Sequence, residues 1–241
     1  MARRTPEDFY DRGMREYPLA SRLLIWFVVI VLFAFSKLMW RWRMQDAEKL
    51  MPRQGARTGS IIICNHTSMA EVVAIYVHGW FTRRRMRPIA KLEFFKNPII
   101  TWAFARAGAI PVDRGTADLK ALRRAQHALE RGEDVLIFPE GTRVRTDDQK
   151  VEIHGGYALM AQMAKAPIAP MAVCGFRDIT RPGHHLMRPV TCWMRAGDQL
   201  SLDDAPAGLK RRERLKWLED EGMRRVYAIR DELRAEHPGR K

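Results

Sequence analysis

Cysteine is scarce in this 241-residue chain: three residues, Cys64, Cys174 and Cys192, lie far apart with no CxxC pair. That spacing argues against a disulfide framework and against a cysteine-based zinc site. Cys64 and Cys174 sit in apolar runs, where a free thiol packs like a small hydrophobe. Acidic residues are also few, 28 against 42 Lys and Arg, for a net charge of +14. A partner bearing negative charge is expected: nucleic acid, anionic lipid or a phosphorylated substrate. The densest basic run, TRRRMR at 82–87, has no interleaved aromatic platform, and the remaining charge is spread along the chain. A lipid surface explains this more simply than nucleic acid. No internal repeat, low-complexity block or G-x-S-x-G elbow occurs.

A long hydrophobic run is present. Residues 23–36, LLIWFVVIVLFAFS, are apolar up to Ser36, and the run resumes at Leu38-Met39-Trp40. The stretch reaches roughly 27 Å, a marginal span for a ~30 Å hydrocarbon core, so it either crosses or embeds. It runs into KLMWRWRM, not into small residues that a signal peptidase would cut. Trp40 and Trp42 beside Arg41 and Arg43 suit headgroup depth, and the segment reads as a retained anchor. A buried core helix is the alternative, but an all-round apolar helix suits lipid better. Four acids intersperse the five arginines of the first 22 residues, whereas Lys37, Arg41 and Arg43 flank the other end. The positive-inside bias therefore leans toward a domain on the cytoplasmic face. The expected division is a membrane-anchoring helical segment at 1–45 and a catalytic domain at 46–241.

From residue 60 onward, β-type runs alternate with helical patterns, which predicts an α/β domain with a mainly parallel central sheet flanked by helices. Candidate strands are 60–64, 87–91, 109–112, 134–138, 168–174 and 189–195. Asn97 before Pro98 and then Thr116 are expected N-caps, with Gly132 as a stop. Leu215, Leu218, Val226, Ile229 and Leu233 recur at helical spacing, predicting a C-terminal helix packed on the sheet in preference to a second membrane-surface helix.

Three strand exits carry chemistry. In NHTSMAE at 65–71, His66 would reach the carboxyl edge of the sheet, where open α/β folds place ligands. Glu71, at the start of a helix, could accept the proton on one imidazole nitrogen and leave the other as a base for a hydroxyl. The plainer alternatives are a dipole-favoured helix-end glutamate and a merely hydrogen-bonded strand-end histidine. FPEGTR at 138–143 brings Glu140, Gly141 and Arg143 to the same edge. Glycine there lets backbone approach a ligand, with amides able to donate to an anion. GAIPVDRG at 108–115 ends in Arg114, and two arginines from two exits make a plausible clamp for a phosphate monoester, although each alone reads as a solvated surface charge. A hydrolase using Cys64 or Ser68 as nucleophile competes, but Ser68 lies only two residues from His66, too close along one turn for the usual nucleophile–base separation.

NHTSMAE, GAIPVDRG, FPEGTR and the apolar IAPMAV at 168–173, in this order, resemble the four blocks of the 1-acylglycerol-3-phosphate acyltransferases, members of the glycerolipid acyltransferase superfamily. The likeness covers about residues 55–200 and extends to a hydrophobic N-terminal helix. It implies transfer of a fatty acyl group from acyl-CoA or acyl carrier protein to a lysophospholipid hydroxyl at a membrane. His66 is then the general base and Glu71 its orienter, without a covalent acyl-enzyme. Arg114 and Arg143 are implied as phosphate ligands, Glu140, Gly141 and Thr142 as parts of the acceptor site, and Lys91 as a further phosphate contact. No metal or cofactor is implied beyond the acyl donor. The family pattern is histidine, four intervening residues, then aspartate; after His66 this chain has Glu71 at that position, one methylene longer, which bears on substrate class more than on chemistry. Another lysolipid or a glycolipid acceptor, or a non-catalytic tethered protein binding anionic lipid, are the other readings.

Overall fold

Ile61, Ile62, Ile63 and Cys64 are all fully buried. An unbroken apolar strand of this kind needs cover on both faces of its sheet, and it has it. The computed structural model describes residues 5–52, 57–113, 118–180, 184 and 186–238. In chain order the elements are α1 (Glu7–Asp11), α2 (Leu19–Trp40), β1 (Arg43–Gln45), β2 (Ile61–Cys64), α3 (Ala70–Phe81), β3 (Met86–Lys91) and α4 (Pro98–Arg106). Then come β4 (Ile110–Val112), α5 (Leu119–Glu130), β5 (Asp134–Ile137), α6 (Gly156–Ala164), β6 (Ile168–Cys174), β7 (Trp193–Ala196) and α7 (Arg211–Glu236).

The seven strands form one sheet in the order β1-β7-β6-β2-β5-β3-β4. All neighbours are parallel except β6 and β7, as the mainly parallel α/β reading anticipated. Alternate side chains divide between two cores. Ile62, Leu136, Ala169 and Met171 pack toward α2 and α3, whereas Ile61, Ile63, Val135 and Ile168 pack toward α5, α6 and α7. The chain leaving β2 crosses through α3 to β3, and the chain leaving the adjacent β5 crosses through α6 to β6. Opposite departures on opposite faces open a crevice at the carboxyl ends of β2 and β5.

All six expected strands are present, with small shifts. The last covers 193–196, not 189–195, because Val190 and Cys192 donate their amides to Met39 and Trp40 at the end of α2. Strand β1 was not expected. It carries no apolar pattern and is recruited at the sheet edge by parallel pairing with β7. Asn97 caps α4, accepting the Ile99 amide at 2.9 Å and the Ile100 amide at 3.2 Å. For α5 the cap is Asp118, which accepts the Ala121 amide at 2.9 Å; Thr116 lies outside the described residues.

Helix α2 is long and apolar enough to cross a membrane. Ile25, Val29 and Ser36 are buried, and Trp26 and Phe33 meet Trp80 and Phe81 of α3. Leu23, Phe27, Ile30, Val31 and Leu38 stand exposed on the other side. The segment before α2 is held by the body of the protein. Phe9, Tyr10, Met14 and Tyr17 are buried around Arg87, which is itself fully buried. Arg87 donates to Glu133 at 2.6 Å and to the carbonyls of Tyr10 at 3.2 Å and of Arg12. Glu133 also accepts the Met14 amide at 2.5 Å. Both ends of α2 thus return to the same body.

Candidate active site

Two residues beyond β2 the chain reaches His66, and its placement is built from main-chain contacts. Buried Asn65 accepts the Val173 amide at 2.9 Å and donates to the Val173 carbonyl at 3.2 Å, stapling the loop to β6. The His66 amide donates to Glu140 at 2.6 Å, and the His66 carbonyl accepts the Val144 amide at 2.7 Å. The loop after β5 therefore grips His66 on both sides.

Glu71 occupies the second position of α3 and is completely buried. Its Oε1 receives the His66 Nδ1 at 2.8 Å, the Thr67 amide at 2.6 Å and the Ser68 amide at 2.8 Å. A carboxylate oxygen can only accept, so Nδ1 is the nitrogen that donates to Glu71, and Nε2 is the ring position left to act as a base. The positive end of α3 suits the carboxylate further. The extra methylene of glutamate is accommodated because the side chain turns back from the helix start over its own preceding loop. Ser68 Oγ accepts the Ala70 amide at 3.2 Å at the start of α3, and burial pushes the Cys64 thiol well above its ordinary range. Neither has the surroundings of an activated nucleophile.

Glu140 spends its oxygens on the His66 amide and on the Tyr227 hydroxyl of α7, the latter at 3.1 Å. Burial raises its pKa, and the His66 amide opposes that. Gly141 adopts φ +66, a left-handed turn that favours glycine, and its amide donates to the Phe138 carbonyl at 3.0 Å. The Thr142 amide donates to the Glu140 carbonyl at 2.7 Å, so both amides serve the turn in this structure. The side chains of Thr142 and Arg143 are exposed, with Arg143 next to the Val144 that bonds His66. Arg114 lies outside the described residues.

An apolar cavity of about 350 Å³ opens beside His66. Val28 and Leu32 of α2, Val73 of α3, Ile89 of β3 and Phe104 of α4 contribute to its wall. His66 lines it, with Phe138 packed on the imidazole at 4.4 Å between ring centroids. Lys91, at the end of β3, also lines it. Across the motif loop, Thr67 borders a second cavity of about 330 Å³. There Asp147 pairs with Arg177 at 2.9 Å and Arg234 at 3.2 Å.

The family model described as Acyltransferase matches residues 41–174, more than half of the chain. The chain belongs to the acyltransferase family. Among curated relatives, a 1-acyl-sn-glycerol-3-phosphate acyltransferase of Bacillus subtilis is 29% identical over 178 residues, covering 74% of this chain and 84% of the relative. A lyso-ornithine lipid O-acyltransferase of Pseudomonas aeruginosa is 25% identical over 162 residues, covering 67% of this chain and 57% of the relative. The crystal structure of the 1-acyl-sn-glycerophosphate acyltransferase from Thermotoga maritima superposes with a TM-score of 0.59 at 21% identity, over 84% of this chain and 80% of that one. This last likeness concerns the fold.

In this acyltransferase His66 and Lys91 line one cavity, Glu71 and Glu140 bond to His66, Gly141 turns the chain directly after Glu140, and Thr142 and Arg143 are exposed. Three contributors were missed in the sequence. Asn65 stood inside the motif with no signal of its pairing to β6. Phe138 looked like the end of a strand, and Tyr227 lay on a helix read only for its apolar face. Each acts through a partner distant in sequence.

Proposed function

We propose that the protein transfers a fatty acyl group from acyl-CoA or acyl carrier protein to the hydroxyl of a lysophospholipid, with 1-acylglycerol-3-phosphate as the leading acceptor. The observation that carries this reading is the buried His66–Glu71 pair, 2.8 Å apart, at the wall of an apolar cavity. Nε2 of His66 takes the acceptor's hydroxyl proton as its oxygen attacks the thioester carbonyl. The tetrahedral intermediate collapses, the C–S bond breaks, and the leaving thiolate recovers the proton from the imidazolium. Glu71 holds the ring's tautomer and stabilises that imidazolium, as a buried carboxylate does in a hydrolase triad. The cavity supplies apolar surface for an acyl chain, and Arg143 and Lys91 supply cationic groups for a phosphate.

The same reading sets the protein on a membrane. Because residues 9–17 and strand β1 both pack on the body, α2 lies along one leaflet and does not cross it. Lys37, Arg41 and Arg43 beside the apolar run favour the cytoplasmic face.

A second acceptor class has its own support in the likeness to the lyso-ornithine lipid enzyme, whose name specifies an acceptor other than a glycerol phosphate. The test is product identification by mass spectrometry after incubating the full-length protein in mixed micelles with acyl-CoA and, separately, lysophosphatidic acid, lysophosphatidylcholine and lyso-ornithine lipid. Phosphatidic acid as the main product supports the leading acceptor. Acylation confined to another acceptor overturns it. In the phosphate-clamp reading, Arg143→Ala raises the KM for lysophosphatidic acid about tenfold, the worth of one charge-assisted contact, and leaves kcat little changed.

A further inference from the structure

Helix α4 has no reason to face water. Its sequence PIITWAFAR contains no acid, and residues 91–106 hold one, Glu93, against Lys91, Lys96 and Arg106. Its inner side packs through Phe104, which meets Phe95 at 5.7 Å. Its outer side exposes Ile99 at 76% and Trp102 at 48%, and the 3-10 turn before it, Leu92–Lys96, exposes Leu92 and Phe94. Thr101 Oγ1 donates to the carbonyls of Phe95 and Asn97, both at 2.8 Å, so turn and helix form one rigid unit. An apolar patch displayed on a rigid element marks an interaction site.

Its position relative to α2 indicates the partner. Leu24 and Val28 of α2, and Phe94 and Trp102 on the other element, are each exposed and also line the apolar cavity beside His66. Residues that are both exposed and cavity-lining form a mouth, so α2 stands on one lip and the 92–106 unit on the other. Exposed apolar residues of α2 and of the 92–106 unit thus border the same opening. Arg106 lies over the Trp102 ring at 4.2 Å, and the cationic excess of the segment complements an anionic headgroup layer.

We propose that the turn and α4 are a second membrane-inserting element, seated in an anionic leaflet opposite α2, so that the cavity opens into hydrocarbon and receives an acyl chain without its passing through water. This rests on the membrane reading of α2.

The test uses the full-length protein with Cys174→Ser, since Cys64 and Cys192 are buried, and with an environment-sensitive fluorophore on a single introduced cysteine. The probe sites are Ile99→Cys on α4, Phe27→Cys on α2 and Arg123→Cys on α5, on the opposite face of the sheet. Vesicles of phosphatidylcholine and phosphatidylglycerol carry nitroxide quenchers in their acyl region. The expected result is quenching at 99 as strong as at 27, with the probe at 123 unaffected. In addition, Ile99→Glu raises the apparent KM for a long-chain acceptor in vesicles roughly tenfold, because a carboxylate resists the hydrocarbon boundary. It leaves turnover of a short-chain, monomerically dispersed acceptor unchanged. Quenching at 27 but not at 99 overturns the inference while the α2 reading stands, and quenching at neither site removes both. Shielding of the 99 probe on concentrating the protein without vesicles assigns the face to a second copy of the chain and also overturns it.

Discussion

Replacing Glu71 with glutamine keeps a side chain of the same length at the second position of α3, with one oxygen still able to accept from His66 Nδ1 and the Thr67 and Ser68 amides. Fold and tautomer survive, and only the charge is lost. When His66 becomes an imidazolium in the transition state, the missing stabilisation has two bounds. Exchanging a charge-assisted hydrogen bond for a neutral one costs about 1 kcal/mol. Removing a unit charge ~4 Å from the cation, at an effective dielectric constant of ~20, costs up to about 4 kcal/mol. The expected loss in kcat is therefore about 5- to 1,000-fold. Glu71→Asp separates geometry from charge, because it keeps the carboxylate but withdraws it by one carbon–carbon bond, ~1.5 Å, from three donors. In this backbone it should also lose about tenfold or more in kcat, although aspartate is the residue the family pattern favours. The assay is continuous thiol release from acyl-CoA in the presence of lysophosphatidic acid, with the fold checked by circular dichroism. A Glu71→Gln rate within a factor of about two of wild type would refute the reasoning, since it would leave the carboxylate as a helix-end residue alone.

Arg87→Ala leaves Glu133 buried without its guanidinium and releases the carbonyls of Tyr10 and Arg12, so unfolding in urea should show a loss of about 3–5 kcal/mol. Limited proteolysis of the same variant should cut first within residues 5–17. Glu221 on α7 is held down to about 2, chiefly by its hydrogen bond with Arg224, from an ordinary value of 4.5. A depressed folded pKa contributes stability that is present above the unfolded value and lost as pH falls from about 4.5 toward about 2. Glu221→Gln should flatten the pH dependence of the urea midpoint in that window, by a modest amount because Arg224 lies in solvent.

How much of this was legible depended on where each residue found its partner. IIIC at 61–64 read as a buried strand because cover on both faces leaves an uninterrupted apolar run. The Asn97 cap was legible because cap and helix are adjacent in sequence. Arg87 looked like one more charge in TRRRMR, and only Glu133, on the turn before β5, makes it a buried core residue. Strand β1 had no pattern to find, being three residues held at an edge by β7. At the site, His66 and Glu71 were visible as a pair within one short motif. Their supports came from β6, the loop after β5 and α7, and the cavity came from α2, α3, β3 and α4. Such convergence belongs to the topology of the sheet and leaves no periodic trace in any one segment.

The most direct test of the central claim compares wild type with His66→Ala in the same lysophosphatidate-containing vesicles, following thiol release from acyl-CoA and the acylated lipid together. The account predicts acceptor-dependent release with matching product in the wild type, and neither in a folded His66→Ala protein. Acceptor-dependent product formation by that variant at a comparable rate would contradict it.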